Sequence, residues 1–198
     1  MTRNQQKQIN RERLLSQGVS LLMERGYHGT GLKEILDAVR IPKGSFYNYF
    51  GSKEEFGAEA IRHYIEPFIQ QLSAYLQNPE VDALTAIRIY FDELIAELER
   101  QNFKGGCLLG NLMGEIGDTS ELCRASLQSA VHRYRNLLQI GLEKAQTQGS
   151  VRMDKSSTLM ADLLVDAWQG ALLRMKIEQS GTPLRAFMNE FLGDYLRD

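Results

Sequence analysis

Residues 25–56 read RGYHGTGLKEILDAVRIPKGSFYNYFGSKEEF, and the punctuation of this stretch is that of short helices joined by tight turns. Gly26 closes a preceding amphipathic run over residues 8–25, in which Ile9, Leu14, Leu15, Val19, Leu22 and Met23 recur at helical spacing. Thr30 is placed to cap a helix from Leu32 to Val39, with Glu34 in its first turn where the helix dipole favours an acid. Pro42 suits the opening of a third helix, Lys43 to Phe50, because a proline there forfeits no intrahelical N–H bond. Gly51-Ser52 stops it, and Ser52 with Glu55 three residues on predicts a capping box for the next helix. Two short helices about the turn Arg40-Ile41-Pro42 have the proportions of a helix-turn-helix.

The third helix should be two-faced. At about 100° per residue, Phe46, Tyr49 and Phe50 fall on one side and are expected to pack inward. Gly44, Tyr47 and Asn48 fall on the other, flanked by Lys43 and Ser45. That outer face offers a glycine where a phosphate can approach, together with hydroxyl, amide and ammonium groups that suit phosphates and base edges. Thr30 and Lys53 are placed to reach the flanking nucleic-acid backbone.

Charge agrees with this reading. Residues 1–53 hold nine Lys/Arg against four acids, whereas the whole chain has a net charge of −2. A basic head on an acidic body points to a polyanion partner at one end. The rest of the 198 residues reads as helix, at about 53–77, 82–101, 107–116, 119–147, 155–179 and 184–196, with no strand-like alternation and no repeat. The fold class is therefore all-α, with a head over residues 1–52 and a larger helical body over 53–198. No apolar run reaches the roughly 18 residues of a membrane span, and the polar start is not a secretory signal, so a cytoplasmic protein is expected. Two cysteines and three scattered histidines suggest neither a disulfide framework nor a metal site, and no cofactor motif is present.

The segments RGYHGTGLKEI (25–35) and IPKGSFYNYFGSKEEF (41–56) resemble, in order and spacing, the DNA-binding head of the tetracycline-repressor (TetR) family. The resemblance implies a homodimeric repressor that leaves a double-stranded DNA operator when a small-molecule inducer binds. It places Thr30, Lys43, Gly44, Tyr47, Asn48 and Lys53 at the usual DNA contacts. Position 48, often His in that family, is Asn here and adds no positive charge.

Residues 104–124, KGGCLLGNLMGEIGDTSELCR, look like a branch of the same family that responds to N-ethylmaleimide, with a Gly-Cys-Leu opening the helix after residue 107. That likeness implies a reactive electrophile as the signal and Lys176 as a partner of the cysteine. Independently of it, Cys107 stands at an expected helix start with Lys104 just upstream, two features that favour a negative sulfur. Packing as a small apolar residue is the alternative for Cys107, and the expectation for Cys123. Tyr90, Phe103, Met113 and Trp168 are candidates to line a ligand cavity, or else ordinary core. The last two helices, through Leu159, Leu163, Gly170, Leu184 and Phe191, are candidates for an intersubunit bundle. The competing functional class is a small thiol-dependent helical enzyme using Cys107, for which no Cys/His or carboxylate pair is visible.

Overall fold

The computed structural model describes residues 2–197, with the side chain of Lys43 outside the described set. Every regular element among them is helical. Helix α1 spans Arg3–Arg25 and starts well before the first apolar residue of its pattern. The reason is a reciprocal cap: the Thr2 hydroxyl accepts from the Gln5 amide at 3.3 Å while Gln5 accepts from the Thr2 amide at 2.8 Å. At Gly18 the helix meets the Phe56 ring so closely that a Cβ would sit 2.1 Å from its Cζ. Only glycine allows that approach.

Helix α2 covers Leu32–Val39, as its periodicity predicts, but Thr30 does not cap it. Gly31 is the capping residue, and the Glu34 carboxylate accepts from the Gly31 amide at 3.3 Å. Thr30 is instead fully buried, donating its hydroxyl toward the carbonyls of Gly26 at 2.6 Å and Leu21 at 3.2 Å. It therefore ties the end of α1 to the start of α2. The chain leaves α2 through Arg40 in a left-handed conformation (φ 57°), with Arg13 donating to the Val39 carbonyl at 3.2 Å.

The next element is a 3-10 helix over Lys43–Asn48, tighter and shorter than the α-helix expected to Phe50. Ser45 donates to Pro42 and Tyr49 to Phe46, both at 2.8 Å. With three residues per turn, side chains three apart eclipse. Phe46 and Tyr49 thus form one row, Gly44 and Tyr47 a second, and Ser45 and Asn48 a third.

Helix α3 runs over Lys53–Gln77 and contains Pro67. Its Ser52 cap accepts from the Glu55 amide at 3.0 Å, but Glu55 reaches back to the amide of Gly51, not Ser52. Helices α4 (Ala83–Arg100), α5 (Leu108–Ile116), α6 (Glu121–Thr147), α7 (Ser157–Glu178) and α8 (Thr182–Ala186) follow, and α8 continues into a π-helix over Phe187–Tyr195. Asp82 caps α4 through the amides of Leu84 and Thr85, both at 3.1 Å, and Ser156 caps α7 through Leu159 at 3.2 Å.

Two compact units share these elements. One comprises the residues up to Glu66 with Leu108–Ala130; the other comprises Pro67–Cys107 and the residues from Val131 onward. The first is built around Phe46, Phe50 and Phe56, whose ring centroids lie 5.0–5.8 Å apart, with Leu14, Leu22, Ile35 and Leu36 buried about them. The second is built around Phe91, Trp168 and Phe187, with ring centroids 4.9–5.2 Å apart.

Candidate functional site

Burial of the Phe46 row determines what the 3-10 helix shows to solvent. Because Phe46 and Phe50 are locked against Phe56, Tyr47 is turned outward with 64% of its surface exposed. Gly44 and Asn48 are exposed beside it and Ser45 is half-buried. A Cβ at Gly44 would meet nothing within 4 Å, so the backbone there is open to close approach. Tyr49 lies half-buried, its hydroxyl accepting from the Asn10 amide at 3.2 Å. Gly44, Ser45, Tyr47 and Asn48 are thus brought together on one face, a constellation suited to a phosphate backbone and base edges. The expectation for the Lys43 side chain lies outside the described residues.

Two sequence candidates point the other way. The Thr30 hydroxyl is buried on carbonyls and presents nothing to a phosphate. Lys53 folds back, its ammonium donating to the Tyr27 carbonyl at 2.8 Å and lying 4.5 Å from the Tyr27 ring centroid. Burial lowers its pKa, while the Glu115 carboxylate acts in the opposite sense. The cause of both departures is the same: the irregular turn between α1 and α2 has carbonyls to satisfy, and the nearest polar side chains satisfy them.

That turn is also held by a residue the sequence did not single out. The Glu115 carboxylate, near the end of α5, accepts from the backbone amides of Tyr27 at 2.7 Å and His28 at 2.6 Å. An acid in the last turn of a helix opposes the helix dipole, and this was the one sequence signal that could have flagged it. Cys123 packs beside the same turn, fully buried, its thiol directed at the Glu54 carbonyl at 3.6 Å. Burial pushes that thiol up, and burial, with Cys123 and Glu54 as lesser causes, pushes the Tyr27 phenol to about 12. Cys123 has the surroundings of an inert packing thiol.

Cys107 is different. It is half-buried, one residue before α5, and its sulfur accepts from the Gln169 side-chain amide at 3.4 Å. The turn that delivers it runs through left-handed backbone at Asn102 (φ 54°), Phe103 (φ 59°), Gly105 (φ 84°) and Gly106 (φ 77°). For Asn102 and Phe103 this conformation carries a cost of order 1 kcal/mol each. Gln169 lies on α7. Lys176 is exposed and lies seven residues further along the helix, about 10 Å by helical rise.

The buried Tyr90 hydroxyl and the carbonyl oxygen of Gln169 have no hydrogen-bond partner. Burial raises the Tyr90 phenol; the neighbouring Tyr134 phenol opposes this without closing a hydrogen bond by geometry, and charge at Cys107 raises it further. Trp168 is buried in the aromatic cluster, Phe103 packs on Gly181, and Met113 stands exposed on α5 in the other compact unit. Among the described residues no group of three His, Cys, Asp or Glu side chains could hold a metal ion, and no helix is long and apolar enough to cross a membrane.

Comparison with known proteins gives the same division of labour. Residues 14–60 match the family described as bacterial regulatory proteins, tetR family, and residues 83–191 match the tetracyclin repressor-like C-terminal domain. The chain is 35% identical over 178 residues to the HTH-type transcriptional repressor DhaR of Mycobacterium sp. (strain GP1), spanning 90% of this chain and 88% of that one. It is 33% identical over 174 residues to the HTH-type transcriptional repressor NemR of Escherichia coli (strain K12), spanning 88% and 87%. The crystal structure of reduced E. coli NemR superposes with a TM-score of 0.86 at 32% identity, over 92% of this chain and 94% of that one. With a helix-turn-helix head on a buried aromatic base, and with these relatives, the chain belongs to the TetR family of DNA-binding transcriptional regulators.

Proposed function

We propose that this protein is a cytoplasmic, homodimeric repressor that holds a palindromic operator through Gly44, Ser45, Tyr47, Asn48 and Lys43, and that releases it when Cys107 is modified or a small molecule binds beside it. It works by binding, with no catalytic turnover. The observation that carries the proposal is the placement of α5. Cys107 immediately precedes this nine-residue helix, and Glu115 at its far end grips the α1–α2 turn of the DNA-reading head. A change at the sulfur that shifts or unwinds the start of α5 is thereby passed to the turn that sets α2 and the reading helix. A coupling of about 1–3 kcal/mol would be enough to change operator affinity several-fold to a hundredfold.

Support for the dimer comes from α7. Its outer stripe carries Leu159, Leu163, Gly170, Leu173 and Ile177, all exposed, Ile177 by 84%. Apolar residues at spacings of three, four and seven on an uncovered helix face are those of an intersubunit bundle. A two-fold reader in turn calls for a palindromic site.

The test is operator release by N-ethylmaleimide, compared among wild type, Cys107→Ser and Cys123→Ser. Release is expected to survive Cys123→Ser and to be lost in Cys107→Ser. Undiminished release from Cys107→Ser would refute sensing at this sulfur.

A further inference from the structure

The start of α1 is helical with no core beneath it. Residues 2–9 are all exposed, and the first buried residue of the helix is Leu14. Packing therefore does not hold this overhang, which by helical rise is about 10 Å long. Its support is the Thr2–Gln5 cap and two side-chain bonds between residues four apart, Gln6 to Asn10 at 3.1 Å and Gln8 to Glu12 at 2.8 Å. Its charge also runs against helix electrostatics. The first turn holds no acid, while Arg3 and Lys7 put cations near the positive end of the dipole. Neither cation has an acidic partner among the described residues. A helix end kept basic and exposed against its own dipole fits a polyanion outside the chain.

The overhang is joined to the reading surface. At about 100° per residue, Arg3, Lys7 and Asn10 fall within about 60° of one another, and Glu12, the first acid of the chain, faces the opposite side. Asn10 donates to the hydroxyl of Tyr49, the residue that closes the 3-10 helix, at 3.2 Å. On the adjoining flank Arg11 pairs with Glu59 and lies 5.3 Å from the Phe50 ring centroid, so it is committed to the fold. Arg3 and Lys7 thus form a ridge that runs to the end of the 3-10 helix. We infer that this ridge is a second nucleic-acid surface, on which Arg3 and Lys7 hold backbone phosphates of the duplex flanking the bases that the 3-10 helix faces. Phosphates of one strand recur about every 3.4 Å along the duplex axis, so the ridge spans about three of them. Such contacts set affinity and register and carry no sequence information. The inference rests on the reading of the 3-10 helix as the DNA-facing element.

The experiment measures affinity by fluorescence anisotropy over a series of salt concentrations, on DNA from upstream of the protein's own gene and on an equally long unrelated duplex. The Arg3→Gln, Lys7→Gln double variant should weaken binding to both by the same factor. Its plot of log affinity against log salt should be shallower by about four, one for each of two cations in two protomers. Ethylation interference should lose a set of flanking phosphates and keep those beside the 3-10 helix. The Arg3→Glu, Lys7→Glu variant separates binding from folding. Acids suit a helix N-terminus, so helicity by circular dichroism should hold or rise while affinity falls further. An unchanged salt slope, an unchanged interference pattern, or a loss confined to the upstream DNA would overturn the inference. Wild type that binds neither duplex would remove the DNA reading itself, whereas wild type that binds, with an unaffected double variant, removes only this ridge.

Discussion

Replacing Tyr90 with Phe should make the reduced protein more stable, an unusual outcome for a substitution in a core. The Tyr90 ring is fully buried and packs edge-on against Phe91 at 5.3 Å and tilted against Tyr134 at 6.2 Å between centroids. Phe preserves that ring and those contacts, so the packing contributions cancel. What changes is one hydroxyl, buried with no hydrogen-bond partner. Leaving such a group unsatisfied costs about 1–3 kcal/mol in the folded state, and its removal returns that sum. For a chain of this size each kcal/mol moves the melting temperature by about 2–4 °C, so a rise of roughly 2–12 °C is expected. Differential scanning calorimetry at neutral pH with reductant present measures it directly. A lower melting temperature would show that the hydroxyl is hydrogen-bonded in the reduced protein and would refute this description of the Tyr90 surroundings.

Three further outcomes follow from the geometry. Gly18→Ala puts a Cβ 2.1 Å from the Phe56 ring, and the forced shift should cost about 1–3 kcal/mol in a urea melt; an unchanged midpoint would contradict the close packing. Glu115→Gln weakens two charge-assisted bonds to the Tyr27 and His28 amides, so hydrogen exchange at those two amides should accelerate about tenfold, and unchanged exchange would remove Glu115 from the coupling. The buried Cys123 thiol and Tyr27 phenol both titrate higher when folded, so the unfolded chain loses these protons first. Stability should hold below the ordinary thiol value of 9.0 and fall as the pH climbs toward about 12, and a Cys123→Ala, Tyr27→Phe double variant should flatten that decline.

Local chemistry was legible in the sequence where the cause was local. The bounds of α2, the turn at Arg40-Ile41-Pro42 and the inward side of Phe46 and Phe50 all follow from residues a few positions apart. The bonds of Thr30 and Lys53 were not legible because their partners are carbonyls of the α1–α2 turn and of Leu21, which no side-chain pattern reports. Met113 matched an apolar pattern but sits on the uncovered side of α5. The 3-10 form of the reading helix left its two faces recognisable because Phe46 points inward at either pitch. Glu115 and Gln169 act on partners 87–88 and 62 residues away, beyond the range of any local spacing rule. Gln169 carried only a faint mark, a polar side chain within the buried run around Trp168.

Fluorescence anisotropy on DNA from upstream of the protein's own gene tests the central claim, that the outer row of the 3-10 helix reads DNA from a folded aromatic base. Wild type should bind as a dimer, with affinity falling steeply between about 50 and 200 mM salt as condensed counterions are released. Tyr47→Ala should lower affinity by about 1–3 kcal/mol with an unchanged melting temperature, because Tyr47 is 64% exposed. Phe46→Ala should instead cost about 3–5 kcal/mol of stability, because Phe46 is buried. Wild-type affinity in a folded Tyr47→Ala protein would contradict the assignment of this face to DNA.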